Sequence, residues 1–260
     1  MMNYKEYEGF RLSRTALGVE LEFVMPHELE GKFFARLYAR GPLNDEAGGD
    51  PARVWAALSA EYEGRPLVAP RQVHGVSIID ASERAALPTR PDADGIFIHE
   101  GCTALASLRF ADCAPVVVAS AGAEPWMAVL HSGFNGTLLN ISAAALGRFW
   151  NGRENAKIWA WIGPCIGGCC YSRHVDDPAT RNALAEFSSE CVDDRDGLIF
   201  FDLGGEIRRQ LSGCGVPDEN IYDYCGCTRC ENGLFYSYRA GDEEKRNFLL
   251  AGSSTNRENM

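Results

Sequence analysis

Three residues near predicted strand ends have side chains that together could bind a metal ion. His74 and His131 each follow an apolar residue and lie just before a glycine turn, in QVHG and LHSG. Cys113 lies between two apolar runs and precedes Pro115, which cannot donate a hydrogen bond to a strand ladder. Two imidazoles and a thiolate are a three-ligand zinc set with an open fourth position, as in catalytic zinc sites. The alternative is that the three residues have only structural roles, the histidines as hydrogen-bonded residues of the fold and the cysteine as a small buried thiol.

The loop after His131 suggests an anion site beside this set. Residues 132–137 (SGFNGT) lead directly into a predicted helix. Unpaired N–H groups at a helix start attract anions, so a phosphate or carboxylate could lie near His131. The alternative is an ordinary helix start capped by Asn135 or Thr137.

The histidine count argues against a true multicopper oxidase. The chain has five histidines and no H-x-H pair, and His27, His99 and His174 are predicted to lie at the surface. Several copper ions need more imidazoles than this, although a His₂Cys set can hold a single copper.

Six of the ten cysteines form two clusters in the sequence. The members of the two clusters are Cys165, Cys169 and Cys170, and then Cys225, Cys227 and Cys230. The C-x-x-C pair of Cys227 and Cys230 could bind structural zinc with a pair from the first cluster. The first cluster lacks the C-x-x-C spacing, so buried thiols are the favoured interpretation, and a redox dithiol is a further alternative.

Composition excludes several classes of protein. With 260 residues, 46% hydrophobic and 23% charged, the chain has the make-up of a globular protein, and no linker divides residues 1–260, which are interpreted as one domain. A net charge of −11 argues against nucleic acid as the main partner. No apolar run is long enough to span a membrane, and the polar start does not resemble a signal peptide, so a cytoplasmic location is expected.

The apolar patterns predict mixed helices and strands. A loop over residues 41–50 precedes a predicted helix over 51–62, and two more helices are predicted over 137–150 and 204–214. Strands are predicted over 67–73, 76–80, 96–98, 103–110, 115–120, 126–130, 157–162 and 198–201. Because no steady βαβ rhythm appears, the expected fold is α+β, a layered sandwich with mixed sheets.

Eight short motifs occur in an order that resembles one known family. They are RQVHG (71–75), DADG (92–95), ADCAPV (111–116), HSGFNGT (131–137), GPCIG (163–167), FDL (201–203), CTRC (227–230) and SYR (237–239). This order is similar to the family called laccase-domain protein, polyphenol oxidase, purine nucleoside phosphorylase and peptidoglycan editing factor. The match covers roughly residues 65 to 245, and residues 1–64 match least.

The resemblance implies an α/β/β/α layered fold and a zinc site made by His74, Cys113 and His131. It favours phosphorolysis of adenosine or inosine to base and ribose 1-phosphate, with adenosine deamination in addition; the partners are then a small nucleoside and phosphate. The family's usual HAGWRG reads HSGFNG here, so Asn135 replaces an arginine beside the presumed anion site. Arg71, next to His74, is hypothesised to replace that contact, and Gln72 and Asn135 are candidate substrate-binding residues.

Three other functions stay open from the sequence. The first is an amidase that removes miscoupled cell-wall (UDP-MurNAc) precursors, by zinc-bound water or by Cys113 with His131 as a dyad. The second is a laccase-like polyphenol oxidase with copper in place of zinc. The third is a non-enzymatic metal-binding protein, which the change at Asn135 favours. The sequence does not reveal the oligomeric state.

Overall fold

Two large mixed sheets form the middle of the protein in the computed structural model, which describes residues 4–83, 87–150 and 157–254. Within these residues the strands of the first sheet lie in the order β1 (Tyr4–Tyr7), β2 (Phe10–Thr15), β3 (Gly18–Phe23), β4 (Phe33–Tyr38), β16 (Asn247–Ser253), β8 (Leu105–Phe110) and β5 (Leu67–Val68). Those of the second lie in the order β15 (Ile221–Asp223), β11 (Lys157–Ile162), β9 (Ala114–Ala121), β10 (Trp126–Ser132), β7 (Gly95–His99) and β6 (Ile78–Asp80). A small third sheet contains β12 (Ser172–His174), β14 (Leu198–Phe201) and β13 (Val192–Arg195).

Helices cover the outer faces of both large sheets. The helices of the described residues are α1 (Pro42–Ala47), α2 (Pro51–Leu58), α3 (Phe134–Leu138), α4 (Ile141–Phe149), α5 (Pro178–Glu186) and α6 (Leu203–Gly213). None of these helices is long and apolar enough to cross a membrane.

Three apolar cores hold the layers together. Leu37 of the first sheet and Val117 of the second belong to the core between the sheets. Leu58 of α2 packs in a second core on the outer face of the first sheet. Ile141 of α4 and Ile207 of α6 pack in a third core on the outer face of the second sheet. This order of layers, α/β/β/α, confirms the predicted α+β sandwich.

The apolar runs predicted the central strands well, because these strands are buried on both faces. The strands predicted over 115–120, 126–130 and 157–162 correspond to β9, β10 and β11. The strand predicted over 67–73 is shorter, since β5 ends at Val68 and Arg71 forms only an isolated bridge with Asp92. Pro70 interrupts the pairing because it has no N–H group to donate.

One loop prediction and one helix prediction were wrong. The predicted loop over 41–50 contains α1, which begins at Pro42 and buries Asn44, whose side-chain amide donates to the backbone carbonyls of Tyr38 and Ala39. The single helix predicted over 137–150 is two helices, α3 and α4. They are separated because Asn140 adopts a left-handed conformation (φ 55°) and caps α4 by accepting from the N–H of Ala143.

Strand register brings distant residues to one edge of the second sheet. The chain leaves the first sheet at the end of β8 and enters the second at Ala114, so Cys113 lies just before β9. In the antiparallel pair of β9 and β10, Ala114 lies opposite Ser132, so His131 at the end of β10 is close to Cys113. Leu130 lies opposite Gly95, which places Asp94 beside His131.

Candidate metal centre

His74, Cys113 and His131, hereafter the donor triad, meet at this edge of the second sheet. One ligand atom from each residue lies within 4.8 Å of the others. The two imidazole rings have centroids 5.0 Å apart. His131 is buried, Cys113 is half-buried and His74 is exposed, so the triad is accessible to solvent from the side of His74. The three candidate ligands predicted from the sequence are therefore brought together.

Asp94 forms hydrogen bonds with both histidines of the donor triad. Its fully buried carboxylate accepts hydrogen bonds from the His131 Nδ1 at 2.9 Å and from the backbone N–H groups of Val73 (3.1 Å), His74 (2.9 Å) and Gly75 (2.7 Å). Burial alone would raise the pKa of Asp94, but the hydrogen bonds from His131 and the backbone lower it. The carboxylate therefore stays charged and holds both histidines in place.

The bond to Asp94 also fixes the protonation of His131. A carboxylate only accepts, so Nδ1 carries the proton and Nε2 keeps its lone pair. Burial lowers the pKa of His131, although Asp94 opposes this effect, so the ring is neutral at physiological pH. A neutral imidazole held by a carboxylate through its other nitrogen is the usual form of a metal ligand.

Cys113 needs a nearby cation to become a thiolate. Burial raises the pKa of its thiol to about 12, and the negative charges of Asp112 and Asp94 add to this effect. A bound divalent ion would remove that penalty and hold the deprotonated sulfur. Gly133 leaves room for the sulfur, since a Cβ at this position would lie 2.6 Å from Sγ.

Backbone conformation at two points of the site is sparsely populated for residues with side chains. His74 has φ 60° and Asp112, next to Cys113, has φ 82°. Asp112 is held there by Thr228 Oγ1 and by the N–H of Arg239, at 2.7 and 2.8 Å from its carboxylate oxygens. Surrounding structure maintains such conformations mainly at functional sites.

The donor triad opens into a cavity of about 540 Å³. The other lining residues are Gln72, Arg109, Ala111, Asp112, Tyr171, Tyr238, Arg239 and Arg246. Within the described ranges, none of the three arginines has a carboxylate oxygen within 4 Å of its guanidinium group. Burial lowers the pKa of Arg109 to about 10, and the charges of Arg90 and Arg246 contribute to this shift. The cavity is thus locally cationic in a chain of net charge −11.

The candidate substrate-binding residues lie in different places. Gln72 lines the cavity, but both ends of its amide are bound to the backbone of Arg109, at 2.8 and 2.9 Å. Arg71 is exposed and binds Asp92 through two hydrogen bonds (2.6 and 2.7 Å), outside the residues that line the cavity. Asn135 is exposed in α3 and also does not line it.

Helix α3 is too short to support the anion site suggested by the sequence. It has five residues and begins at Phe134 instead of Thr137. Its N-cap is Gly133, without a side-chain cap, whereas the Thr137 hydroxyl hydrogen-bonds to Ser132 Oγ. The cavity arginines are a stronger source of positive charge for an anion than this helix start.

Sequence reasoning missed Asp94, Arg109 and Arg246 as site residues. Asp94 and Arg239 do occur in the DADG and SYR motifs, so an acidic residue just before a buried strand was an available signal. Arg109 and Arg246 belong to no motif, and only the pairing of β8 with β16 brings them close. The prediction of buried thiols was wrong for Cys169, Cys225 and Cys230, which are exposed; Cys170 and Cys227 are half-buried, and Cys165 is buried.

The layered fold and the donor triad define a laccase-like α+β sandwich. Residues 37–249 match the family described as multi-copper polyphenol oxidoreductase laccase, and the chain belongs to this family. Purine nucleoside phosphorylase YlmD of Geobacillus stearothermophilus is 35% identical over 199 residues, which are 69% of this chain and 70% of that protein. Adenosine deaminase RL5, from an unknown prokaryotic organism, is 28% identical over 253 residues, 90% and 93% of the two chains. The crystal structure of YlmD from G. stearothermophilus has a TM-score of 0.72 and 26% identity, covering 96% of this chain and 98% of that one.

Proposed function

We propose that this chain is a zinc-dependent enzyme that cleaves purine nucleosides with phosphate. The observation that carries the proposal is that the donor triad lines a cavity together with three arginines that have no carboxylate partners among the described residues. A metal-ligand set beside three cavity arginines suits a reaction between a neutral nucleoside and an anionic co-substrate. The names of the two relatives, a purine nucleoside phosphorylase and an adenosine deaminase, support the substrate class.

The donor set fits zinc. One sulfur and two imidazole nitrogens within 4.8 Å would hold the ion and leave a position facing the cavity. Zinc bound there would supply a Lewis acid for an oxygen of phosphate or substrate. Asp94 keeps His131 neutral and oriented by accepting its Nδ1 proton.

The arginines would bind and orient phosphate. In phosphorolysis a phosphate oxygen forms a bond to the C1′ atom of ribose, the bond from C1′ to the purine nitrogen breaks, and its electron pair leaves with the base. Burial and the charges of Arg90 and Arg246 lower the pKa of Arg109. A phosphate bound near Arg109 and Arg246 would offset their like charges and accept charge-assisted hydrogen bonds from both.

Tyr238 offers a place for the purine. It lines the cavity and is 55% exposed, so its ring is available to a ligand. Tyr171 lines the same cavity, but it is buried and its ring lies 5.0 Å from the guanidinium carbon of Arg239. A flat base could therefore stack on the ring of Tyr238.

Adenosine deamination is a second candidate. It is favoured by the relative named adenosine deaminase RL5, because the similarity extends over 90% of this chain. The same position facing the cavity would then hold water instead of phosphate.

The test is an assay with two substrates and two conditions. Protein purified without chelator is first analysed for zinc and copper by mass spectrometry. It is then incubated with adenosine or inosine, with and without phosphate, and the products are separated by chromatography. Free base and ribose 1-phosphate formed only with phosphate support phosphorolysis, whereas inosine formed from adenosine without phosphate supports deamination.

Cys113→Ala is the deciding variant. It removes one ligand of the triad, and Cys214→Ala, at a half-buried cysteine outside the cavity lining, is the matched control. Full activity in Cys113→Ala would contradict the proposal. So would a wild-type protein that loses zinc on this substitution, and therefore carries it at the triad, but converts neither nucleoside.

A further inference from the structure

Four cysteines from two distant loops meet at the surface, outside the donor triad. Cys169 and Cys170 come from one loop, and Cys227 and Cys230 from another about 60 residues later. Their sulfur atoms all lie within 4.8 Å of one another. The Sγ–Sγ distances are 3.7 Å between Cys169 and Cys170, 3.8 Å between Cys169 and Cys230, and 3.5 Å between Cys170 and Cys230. These residues are hereafter the four-cysteine cluster.

The distances match the geometry of a single tetrahedral ion. Zinc–thiolate bonds of about 2.3 Å place neighbouring sulfurs about 3.8 Å apart at the corners of a tetrahedron. A disulfide would need about 2.0 Å, and all four cysteines are free. A multi-iron cluster would need more space between the sulfurs, because several irons and bridging sulfides lie among them.

Both loops are built to hold these sulfurs in place. The N–H groups of Cys170 and Tyr171 donate to the carbonyl of Gly167, at 2.9 and 3.0 Å, and close the first loop into a turn. A Cβ at Gly167 would lie 3.4 Å from Cys169 Sγ and 3.3 Å from Cys227 Cβ, so the two loops pack closely here.

A backbone bridge aligns the second loop with the first. Cys165 and Cys227 form an isolated parallel bridge, in which the N–H of Thr228 donates to the carbonyl of Cys165 at 2.9 Å. The bridge places Cys227 beside the first loop.

We propose that the four-cysteine cluster is a second zinc site, structural and closed. Four thiolates complete the tetrahedral coordination, so no position is left for substrate. The proposal is independent of the reaction at the donor triad, because it rests on different residues and on different distances.

The cluster also connects to the cavity through the residues that follow its cysteines. Tyr171 follows Cys170 and lines the cavity. Thr228 follows Cys227, and its hydroxyl donates to Asp112, next to Cys113, at 2.7 Å. The carbonyl of Asp112 in turn accepts from the N–H of Ile166 in the first loop, at 2.9 Å. A zinc ion in the cluster would therefore fix two loops that shape the cavity wall.

The test isolates the cluster from the triad. The full chain carrying His74→Ala and Cys113→Ala is produced with added zinc and purified with a phosphine reductant and without chelator. We expect about one zinc ion per chain, and X-ray absorption should show four sulfur neighbours at about 2.3 Å. Adding Cys230→Ser should remove most of this zinc, whereas adding Cys225→Ser, at an exposed cysteine of the same loop outside the cluster, should leave it.

Three results would overturn the proposal. They are zinc-free protein carrying the two triad substitutions, a coordination shell of nitrogen and oxygen only, and a disulfide between Cys170 and Cys230 in the reduced preparation.

If the protein with the triad substitutions does not fold, X-ray absorption of the wild-type protein decides. A shell with mostly sulfur supports the cluster, and a shell with mostly nitrogen and oxygen contradicts it. Because metal content and sulfur coordination are measured apart from turnover, a failure of the nucleoside reaction leaves this result unchanged.

Discussion

The donor triad and the four-cysteine cluster differ in how many positions around a metal ion they fill. The triad offers three ligands in front of a cavity of about 540 Å³, and its histidines are held from behind by buried Asp94. The cluster offers four sulfurs on two surface loops. Three ligands with a supporting carboxylate suit chemistry on a substrate, whereas four thiolates suit the joining of two loops. Zinc could therefore have two roles in one chain. It would take part in a reaction at the three-ligand site beside the cavity, and it would join two loops at the four-ligand site.

The largest expected effect comes from breaking the triad. Cys113→Ala removes the sulfur donor of the triad. Since a Lewis-acid metal contributes several kcal/mol to a transition state, we expect kcat/KM for the nucleoside to fall by about 1,000-fold. Steady-state kinetics with the best substrate measures this loss. Cys214→Ala should keep wild-type values, and a loss of similar size there would mean that the effect is general to cysteine removal.

Removing the charge of Asp94, which holds His131 by a hydrogen bond, should have the next largest effect. Asp94→Asn keeps the size of the side chain but loses the charge that holds His131. Partners behind a metal ligand typically contribute 10–100-fold to metal affinity or activity, so we expect the zinc Kd to rise by about this factor. Competition with a chromophoric chelator measures it in protein that also carries Cys230→Ser, so that zinc bound at the four-cysteine cluster does not contribute. Asp92→Asn, at the exposed partner of Arg71, is the control and should leave the zinc Kd unchanged.

Replacing an arginine of the cavity lining should raise the KM for phosphate more than the KM for nucleoside. Arg246→Ala removes a cavity guanidinium, and a hydrogen bond to a charged group is worth about 1.5–3 kcal/mol. We therefore expect the KM for phosphate to rise by about tenfold or more, with a smaller change for nucleoside. Arg71→Ala is the control, because Arg71 binds Asp92 outside the cavity lining. A rise for Arg71→Ala alone would instead assign the phosphate contact to Arg71.

Breaking the four-cysteine cluster should have the smallest effect on catalysis and a clear effect on stability. Cys230→Ser removes one thiolate, so zinc no longer stabilises the folded state. At free zinc 100-fold above its Kd, that stabilisation is about 2.7 kcal/mol, and its loss should lower Tm by about 5–10 °C. We expect kcat/KM at 25 °C to fall less than about tenfold. Calorimetry with matched Cys225→Ser protein separates loss of zinc from loss of a surface thiol, and equal Tm values would contradict a structural role.

The sequence predicted the fold class and most of the buried strands. Apolar runs identify β9, β10 and β11, because strands buried on both faces have a continuous apolar pattern. The helix pattern failed at Asn140, since side-chain periodicity contains no information on a single left-handed residue. It also failed at α1, where the side-chain amide of buried Asn44 donates to the carbonyls of Tyr38 and Ala39.

The candidate site was likewise predicted from the sequence only in part. His74, Cys113 and His131 were found from their residue types and from short motifs. The role of Asp94 was missed, since it depends on hydrogen bonds to a loop about 20 residues earlier and a strand end 37 residues later. The sequence also places Arg71 beside His74, although its side chain is directed to Asp92 at the surface.

By itself the sequence determined which donors this protein has: two histidines and a cysteine in short motifs, and a C-x-x-C pair in the last part of the chain. The tertiary structure decided which of them meet. The register of β9 with β10 brings Cys113 to His131, and the bridge between Cys165 and Cys227 brings two cysteine pairs to within 4.8 Å. The physical reason is that metal coordination depends on distances of a few ångströms. Such distances are set by backbone pairing and packing between segments far apart in the chain, and local sequence patterns do not contain them.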